Sequence, residues 1–420
     1  MKTWLLVLLA VASAICTWLS TAPLGNSIAA FAAPCLLIII ALHARTTRSA
    51  IFWVLVMQIP LWIWLHRWVG DITFAGWIGL GIYMSIWAPL FVYLLRRVER
   101  SKCLPFLSTI FVAPIIWVGL ECLRGIVIFD GYPWYLAGTG VVDSIFARFA
   151  AYGSVWGVSF FVVMLAAVVA TIKQVTPKTW IALVLFTVWL ARYGTYDLML
   201  QNPPIPIAVI QTNVPQSNKI RWTWEQQQVD VDKAIQLTYE AVEQAEKKPQ
   251  LIVWPETMLP GTGFEVSRFD YEPWAEDLRL HWYFAERLRH LAEEIDIPIL
   301  VGSQTLVDVT VIREDNYYRL DLASHYNSAV LIHPDGQTER YDNIFLTPFG
   351  ERIPYVEHWP ALQTWVRETF GAAMLFDLDH GGDPTRLALK VIYDDGYDDE
   401  IRIGTPICFE DTVPRVVRDI

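Results

Sequence analysis

Seven apolar stretches, each roughly 17–22 residues long, fill the first half of the chain, and that is the length a helix needs to cross the hydrocarbon of a bilayer. They run approximately over 4–20, 28–44, 50–69, 74–95, 107–124, 150–172 and 178–195. So many such stretches cannot all be sheltered inside a water-soluble fold, so this half of the chain belongs in lipid. The first stretch follows Lys2 and carries the small residues Ala12, Ser13 and Ala14, as a cleavable signal peptide would. Six further spans behind it favour an uncleaved first helix.

Charge divides the chain at the same place. Residues 1–200 hold 13 Lys and Arg against 6 Asp and Glu, whereas residues 201–420 hold 19 against 37. A basic apolar half followed by an acidic half of mixed composition reads as a transmembrane domain, 1–200, then a water-soluble domain, 201–420. No basic patch points to nucleic acid. The five cysteines, at 16, 35, 103, 122 and 408, have no spacing suited to a disulfide framework or to zinc, so no metal or cofactor is expected.

Lys and Arg also set the orientation. With the N-terminus inside, the inner segments carry Lys2, Arg45, Arg48, Arg96, Arg97, Arg100, Lys102, Lys173 and Lys178. The outer ones carry only Arg67, Arg124, Arg148 and Arg192. The N-terminus is therefore expected in the cytoplasm, and seven spans deliver the acidic half to the opposite, extracytoplasmic side. One outer loop, "LECLRGIVIFDGYPWYLAGTG" (120–140), joins charge, aromatics and four glycines. Tyr132, Trp134 and Tyr135 read either as an interfacial aromatic belt or as the mouth for a lipid substrate. Glu121 and Arg124, three residues apart, read either as a pair at a helix end or as solvated charges.

Beyond residue 205 the pattern becomes short β-rich runs alternating with polar helical stretches. Strands are expected over 205–214, 250–257 and 297–306, helices over 227–248 and 284–296, and a hairpin over 328–343 around Pro334-Asp335-Gly336. Such alternation gives an α/β layered domain. Two strands end on reactive groups: Glu256 follows "LIVWP" and Cys408 follows "IRIGTPI". A carboxylate desolvated at a strand mouth can serve as a general base. A thiol beside it becomes a nucleophile toward acyl carbon. Taken singly, an exposed strand-end Glu and an inert buried Cys remain open readings.

Together with their flanks these segments resemble the nitrilase (carbon–nitrogen hydrolase) superfamily, whose catalytic triad is Glu, Lys and Cys. Over its whole length the chain is similar to the apolipoprotein N-acyltransferase family of the bacterial inner membrane. The segments that carry the resemblance are 129–140, 152–165, 207–219, "VWPETMLPG" (253–261), "YDNIFLTPFGERIP" (341–354) and "PICFED" (406–411). The resemblance implies a multispanning α-helical membrane bundle followed by an α/β nitrilase-like domain, an αββα sandwich. It also implies a two-step transfer. Cys408 takes an acyl chain from a phospholipid as a thioester, and the α-amine of a diacylglyceryl-cysteine apolipoprotein then receives it. Glu256 would be the base; Glu351, Phe409 and Glu410 match supporting positions. Trp222 or Trp224 matches a site aromatic, and Tyr132 and Trp134 belong to the matching membrane loop.

Two departures stand out. The family's lysine should lie just before "PFGE", where this chain has Tyr341-Asp342-Asn343. Asn343 supplies an amide donor and no charge, and losing one oxyanion donor typically costs ~10²–10³ in rate. The chain is then slow, inactive or altered at this position. The chain also stops 12 residues after Cys408, where the family continues, so the domain is expected to be truncated at its C-terminus. Besides acyl transfer, two readings stay open: a membrane-tethered amidase, and an impaired homologue that binds lipid or lipoprotein.

Overall fold

The computed structural model describes residues 1–71, 74–101, 108–174, 204–214, 222–264, 276–313, 318–347, 378–393 and 396–420, with positions 185, 351 and 359. The chain divides into a unit built on Met1–Leu200 and a second on Gln201–Arg352 with Leu375–Ile420, and each is described by itself.

In the first unit the apolar stretches form helices close to the expected limits. These are α1 (Thr3–Ser20), α2 (Ser27–His43), α3 (Thr47–Leu65), α4 (Phe74–Ser85), α5 (Trp87–Ser101), α6 (Thr109–Cys122) and α7 (Ala150–Ala170). Among the described residues five helical spans are long and apolar enough to cross a membrane, α4 and α5 counting as one span and Ser27–His43 being a shorter apolar helix. The seventh expected span, 178–195, lies outside the described residues except for position 185. The interruption at Ile86 has a local cause: the Pro89 ring lacks an N–H and collides with the carbonyl four residues back, at Ser85.

Small and branched residues meet at the centre of the bundle, where Ile38, Ile40, Val54, Phe91, Leu95, Ala113 and Val163 are buried together. Trp4, Leu8, Ile28, Phe52 and Phe111 face outward and exposed, as lipid solvent permits. One charge lies among the helix ends. Arg96, 2% exposed, donates from Nη1 to the Ala41 carbonyl (2.5 Å) and from Nη2 to the Ala44 carbonyl (2.9 Å). Those carbonyls have no intrahelical partner, and the negative end of the α2 dipole adds to the attraction.

The second unit holds nine strands among the described residues. Two of them, β4 (Thr310–Arg313) and β5 (Tyr318–Asp321), make a separate antiparallel ribbon. Five form one sheet in the order β1 (Ile207–Val209), β2 (Leu251–Val253), β3 (Ile299–Val307), β6 (Ser324–Ile332), β7 (Thr338–Asp342). β1, β2 and β3 are parallel, and β6 and β7 run antiparallel. The parallel pairs are joined through α8 (Trp224–Gln244) and α9 (Glu276–Ile295). Side-chain alternation decides the layers. Ile252, Trp254, Ile299, Val301, Val330 and Ile332 pack with Val231, Phe284, Leu288 and Leu291 on the helical face. Leu251, Val253, Leu300, Ala329, Leu331 and Tyr341 pack on the other face against a second sheet, β8 (Leu387–Ile392) with β9 (Asp398–Ile403). The order is therefore helices, sheet, sheet, which is three of the four layers of an αββα sandwich among the described residues. The expected hairpin is β6–β7, turning through Gly336 at φ +83°.

Arg96→Ala should remove the charged cap of α2 and cost roughly 2–3 kcal/mol. A fall in the thermal unfolding midpoint of the purified chain in detergent, partly restored by Arg96→Lys, is the expected result.

Candidate active site

Glu256 stands just past β2, and the backbone there is held against β3. Met258 N–H and Leu259 N–H both donate to the Gly302 carbonyl (3.0 and 3.1 Å). A Cβ on Gly302 would come within 2.5 Å of the Glu256 Cα, so only glycine lets the two segments approach this closely. Glu256 is exposed, whereas its strand-end position suggested a desolvated carboxylate. Its Oε1 accepts a hydrogen bond from Asn327 Nδ2 (2.9 Å) on β6.

Desolvation falls instead on Glu351 and Cys408. Burial, followed by the Glu256 charge, raises the Glu351 carboxyl above its ordinary range, while hydrogen bonds from Thr347 and Asn327 oppose the rise. Cys408 sits at φ +51°, a conformation that strains a side chain other than glycine. As a residue it is exposed, yet enough protein surrounds its sulfur that desolvation is the largest influence on it. With the Glu256 and Glu351 charges adding, the thiol is pushed up to about 12. The same couplings place Glu256, Glu351 and Cys408 in one electrostatic neighbourhood. Cys408 is thus no walled-in thiol.

Glu410 organises the turn that carries Cys408. It is completely buried, and its two oxygens accept four hydrogen bonds. Oε1 takes Ile344 N–H (2.6 Å) and Phe345 N–H (2.9 Å); Oε2 takes Ile407 N–H (2.8 Å) and the Tyr341 hydroxyl (2.9 Å). Burial and this carboxylate push the Tyr341 phenol upward, keeping it a donor. Phe409, 1% exposed, stacks on Phe345 with centroids 5.9 Å apart. The loop after β7 and the Cys408 turn are therefore fixed to each other.

Asn343 occupies that loop, 1% exposed, where the family resemblance expects a lysine. Its Oδ1 accepts from Phe345 N–H (3.1 Å), and its Nδ2 is buried without a hydrogen-bond partner. The amide has a spare donor and brings no charge.

The two tryptophans are placed differently from the carboxylates. Trp222 donates from Nε1 to Asp230 (2.8 Å), Trp224 lies against Tyr283 and Phe284, and both pack into the core of the helical layer. Tyr132 and Trp134 lie in the first unit. Tyr132 is 6% exposed with its hydroxyl 3.0 Å from His66 Nε2, so it is no belt residue; Trp134, half-buried, lies against Trp68 and Tyr132. Neither are Glu121 and Arg124 solvated charges. Both are buried and grip the loop: Arg124 donates to the Trp134 carbonyl (2.6 Å), and Glu121 accepts from Ala137 N–H (2.7 Å). Asn327 and Gly302 escaped the sequence reading; the available signals were a polar residue within the buried run of "YNSAVLI" and a glycine inside a strand.

Comparison with known proteins agrees with this architecture. Residues 207–420 match the carbon-nitrogen hydrolase family, and residues 13–168 match the apolipoprotein N-acyltransferase N-terminal domain. The chain belongs to the carbon–nitrogen hydrolase family. The chain is 27% identical over 349 residues to an apolipoprotein N-acyltransferase of Geobacter metallireducens, covering 80% of this chain and 58% of that protein. It is 26% identical to one from Vibrio vulnificus, covering 81% of this chain and 63% of the relative. With that of Pasteurella multocida it shares 25% identity, covering 66% and 48%. The chain spans about half to three-fifths of the length of these curated relatives.

Replacing Glu410 by Gln turns an acceptor-only group into one whose NH2 faces N–H donors, and should destabilise the second unit by roughly 2–4 kcal/mol. Thermal denaturation followed by near-ultraviolet dichroism measures this. Because the Cys408 thiol is raised, it stays protonated at neutral pH and yields thiolate only as pH climbs. Alkylation of Cys408 by iodoacetamide at pH 8 should be on the order of a thousandfold slower than that of a free cysteine, and still rising beyond pH 10. Peptide mass spectrometry reads the rate.

Proposed function

We propose that this chain carries out acyl transfer through Cys408, moving an acyl chain from a phospholipid to the N-terminal α-amine of a diacylglyceryl-cysteine apolipoprotein at a bacterial inner membrane. The observation that carries the reading is the thiol itself: an exposed Cys408 at a strained turn, in the electrostatic neighbourhood of Glu256 and Glu351, on a chain that also holds apolar membrane-length helices. Similarity to the acyltransferases supports the substrate class. The N-terminus is then cytoplasmic and the hydrolase domain extracytoplasmic.

In the first step the Cys408 S–H proton passes to Glu256 while Sγ bonds to the ester carbonyl carbon. The tetrahedral intermediate collapses with cleavage of the ester C–O bond; Glu256 returns the proton to the departing oxygen, and lysophospholipid leaves. In the second step the acceptor α-ammonium gives one proton through Glu256 to solvent, its nitrogen bonds to the thioester carbon, the C–S bond breaks, and the second proton lost from that nitrogen passes to the Cys408 sulfur. Amide and free thiol remain. Asn343, whose Nδ2 has no hydrogen-bond partner, stands where the resemblance places the oxyanion's lysine, and Glu351 is electrostatically coupled to the base.

A second reading has one observation in its favour. With an amide at residue 343 and a thiol raised to about 12, the chain also fits an impaired homologue that binds lipid or lipoprotein without turnover.

Incubation with phospholipid bearing a traceable acyl chain should leave a hydroxylamine-sensitive label on Cys408, absent in Cys408→Ser. Asn343→Lys should raise the rate of labelling by about 10²–10³. No label in either form would sink the transfer reading and leave the binding one.

A further inference from the structure

Several helix ends meet where the first unit begins. The Met1 amine donates to the His43 carbonyl (3.0 Å), Arg96 holds the last carbonyls of α2, and Arg100 Nη1 donates to the Thr47 hydroxyl (3.2 Å) at the start of α3. A cavity of about 340 Å³ lies here, lined by Thr47, Tyr93, Arg96, Arg97, Arg100 and Ser101. Sites for small ligands span roughly 300–1,000 Å³. The charge around this one has a single sign. Arg96 Nε (3.3 Å) and Arg100 Nη1 donate to the same Thr47 oxygen, so two guanidinium groups are held side by side. Among the described residues every hydrogen bond of Arg96 and Arg100 ends on a neutral oxygen, and Glu99 accepts instead from the Thr109 hydroxyl (2.7 Å). Like charges so gathered repel, and the N-terminal dipole of α3 adds to their field. Arg96 is committed to α2, whereas Arg100 spends a single N–H on Thr47 and Arg97 is exposed. The same face of α5 then turns apolar. Ile86, Tyr93, Arg97 and Arg100 recur at helical spacing, with Ile86 48% and Tyr93 37% exposed, so one outward stripe is greasy along the span and cationic at its end.

We propose that this cavity binds the headgroup of an anionic phospholipid from the leaflet on the side of the chain's N-terminus, with Arg97 and Arg100 as ligands of its phosphate. A guanidinium fork matches two phosphate oxygens at once, and a negative charge at this place relieves the repulsion among the arginines. The acyl chains then lie along Tyr93 and Ile86. Free phosphate meets the charge and leaves the apolar stripe bare; a lipid without net charge covers the stripe and leaves the arginines uncompensated. An anionic lipid does both. This lipid is not the acyl donor of the proposed transfer. Tyr135, in the 120–140 loop, donates to the Leu65 carbonyl at the last residue of α3, whereas the cavity includes Thr47, the first. The two places are a helix length apart, and the inference stands without the transfer reading.

The test titrates the full chain in detergent micelles with dioleoyl-phosphatidylglycerol and counts retained lipid by native mass spectrometry. Binding should saturate, and replacing both ligands (Arg97→Gln with Arg100→Gln) should weaken it by about tenfold or more. Arg45→Gln with Arg48→Gln removes two exposed arginines from the same end of the bundle, outside the cavity, and should leave binding unchanged. Dioleoyl-phosphatidylcholine, with the same chains and no net charge, should bind more weakly. Inorganic phosphate at equal concentration should not displace the lipid. Should the first double variant not fold, Arg97→Gln alone decides, by a smaller loss. An equal loss in the Arg45 and Arg48 variant makes the arginines a general positive surface and overturns the proposal. Equal binding of phosphatidylcholine, or displacement of the lipid by phosphate, overturns it as well.

Discussion

A single buried carboxylate holds the site together. Glu410 receives three backbone N–H groups and one phenol with no solvent to share the load, and each of those bonds is strengthened by its charge and by the low polarity around it. A carboxylate buried this deeply is costly unless its lone pairs are satisfied, and here the four donors come from two segments of the chain. Tyr341, Ile344 and Phe345 belong to the end of β7 and the loop after it, and Ile407 begins the Cys408 turn. Two loops that no sheet hydrogen bond connects are thereby given one geometry. The strained φ of Cys408 persists because this clamp determines the residues on either side of it.

Glu256 is positioned by different means. β2 is only three residues long, so the strand alone cannot fix the residues beyond its end. Gly302 does, by accepting two N–H groups with its carbonyl and by having no side chain to push the Glu256 backbone away. From the neighbouring strand, Asn327 reaches the Glu256 carboxylate and its backbone carbonyl accepts Asn343 N–H (2.8 Å). One residue of β6 thus touches the segments bearing both the base and the residue in the lysine's place. Shifting β6 by one position would turn this amide to the opposite face of the sheet.

Whatever depends on periodicity was legible in the sequence. Lengths of apolar residues announced the helices, and the apolar run at Leu251–Trp254 announced a strand, whose two faces the structure buries in separate clusters. Glu256 and Cys408 were legible because reactive residues at the ends of apolar runs are unusual. The features that escaped depended on partners distant in the chain. Asn327 lies 71 residues from Glu256, and nothing local marks the amide as a bridge between carboxylates. Glu121 and Arg124 read as helix-end charges because their spacing is helical; their burial comes from a loop folding back onto them. For Trp222 and Trp224, large apolar area pulls both rings toward the helical layer.

The chemistry carries a conflict that this arrangement leaves unresolved by itself. A general base must be anionic to accept the thiol proton, and an anion beside a thiol makes that proton harder to remove. Burial is the larger difficulty, and the two carboxylates add to it, which is why Cys408 is raised so far. A positive charge in the same cluster removes the conflict, because it stabilises the thiolate without neutralising the base. Asn343 offers a dipole where the family resemblance expects a charge, and its Nδ2 is buried without a hydrogen-bond partner. The first proton transfer and the later anion therefore make separate demands.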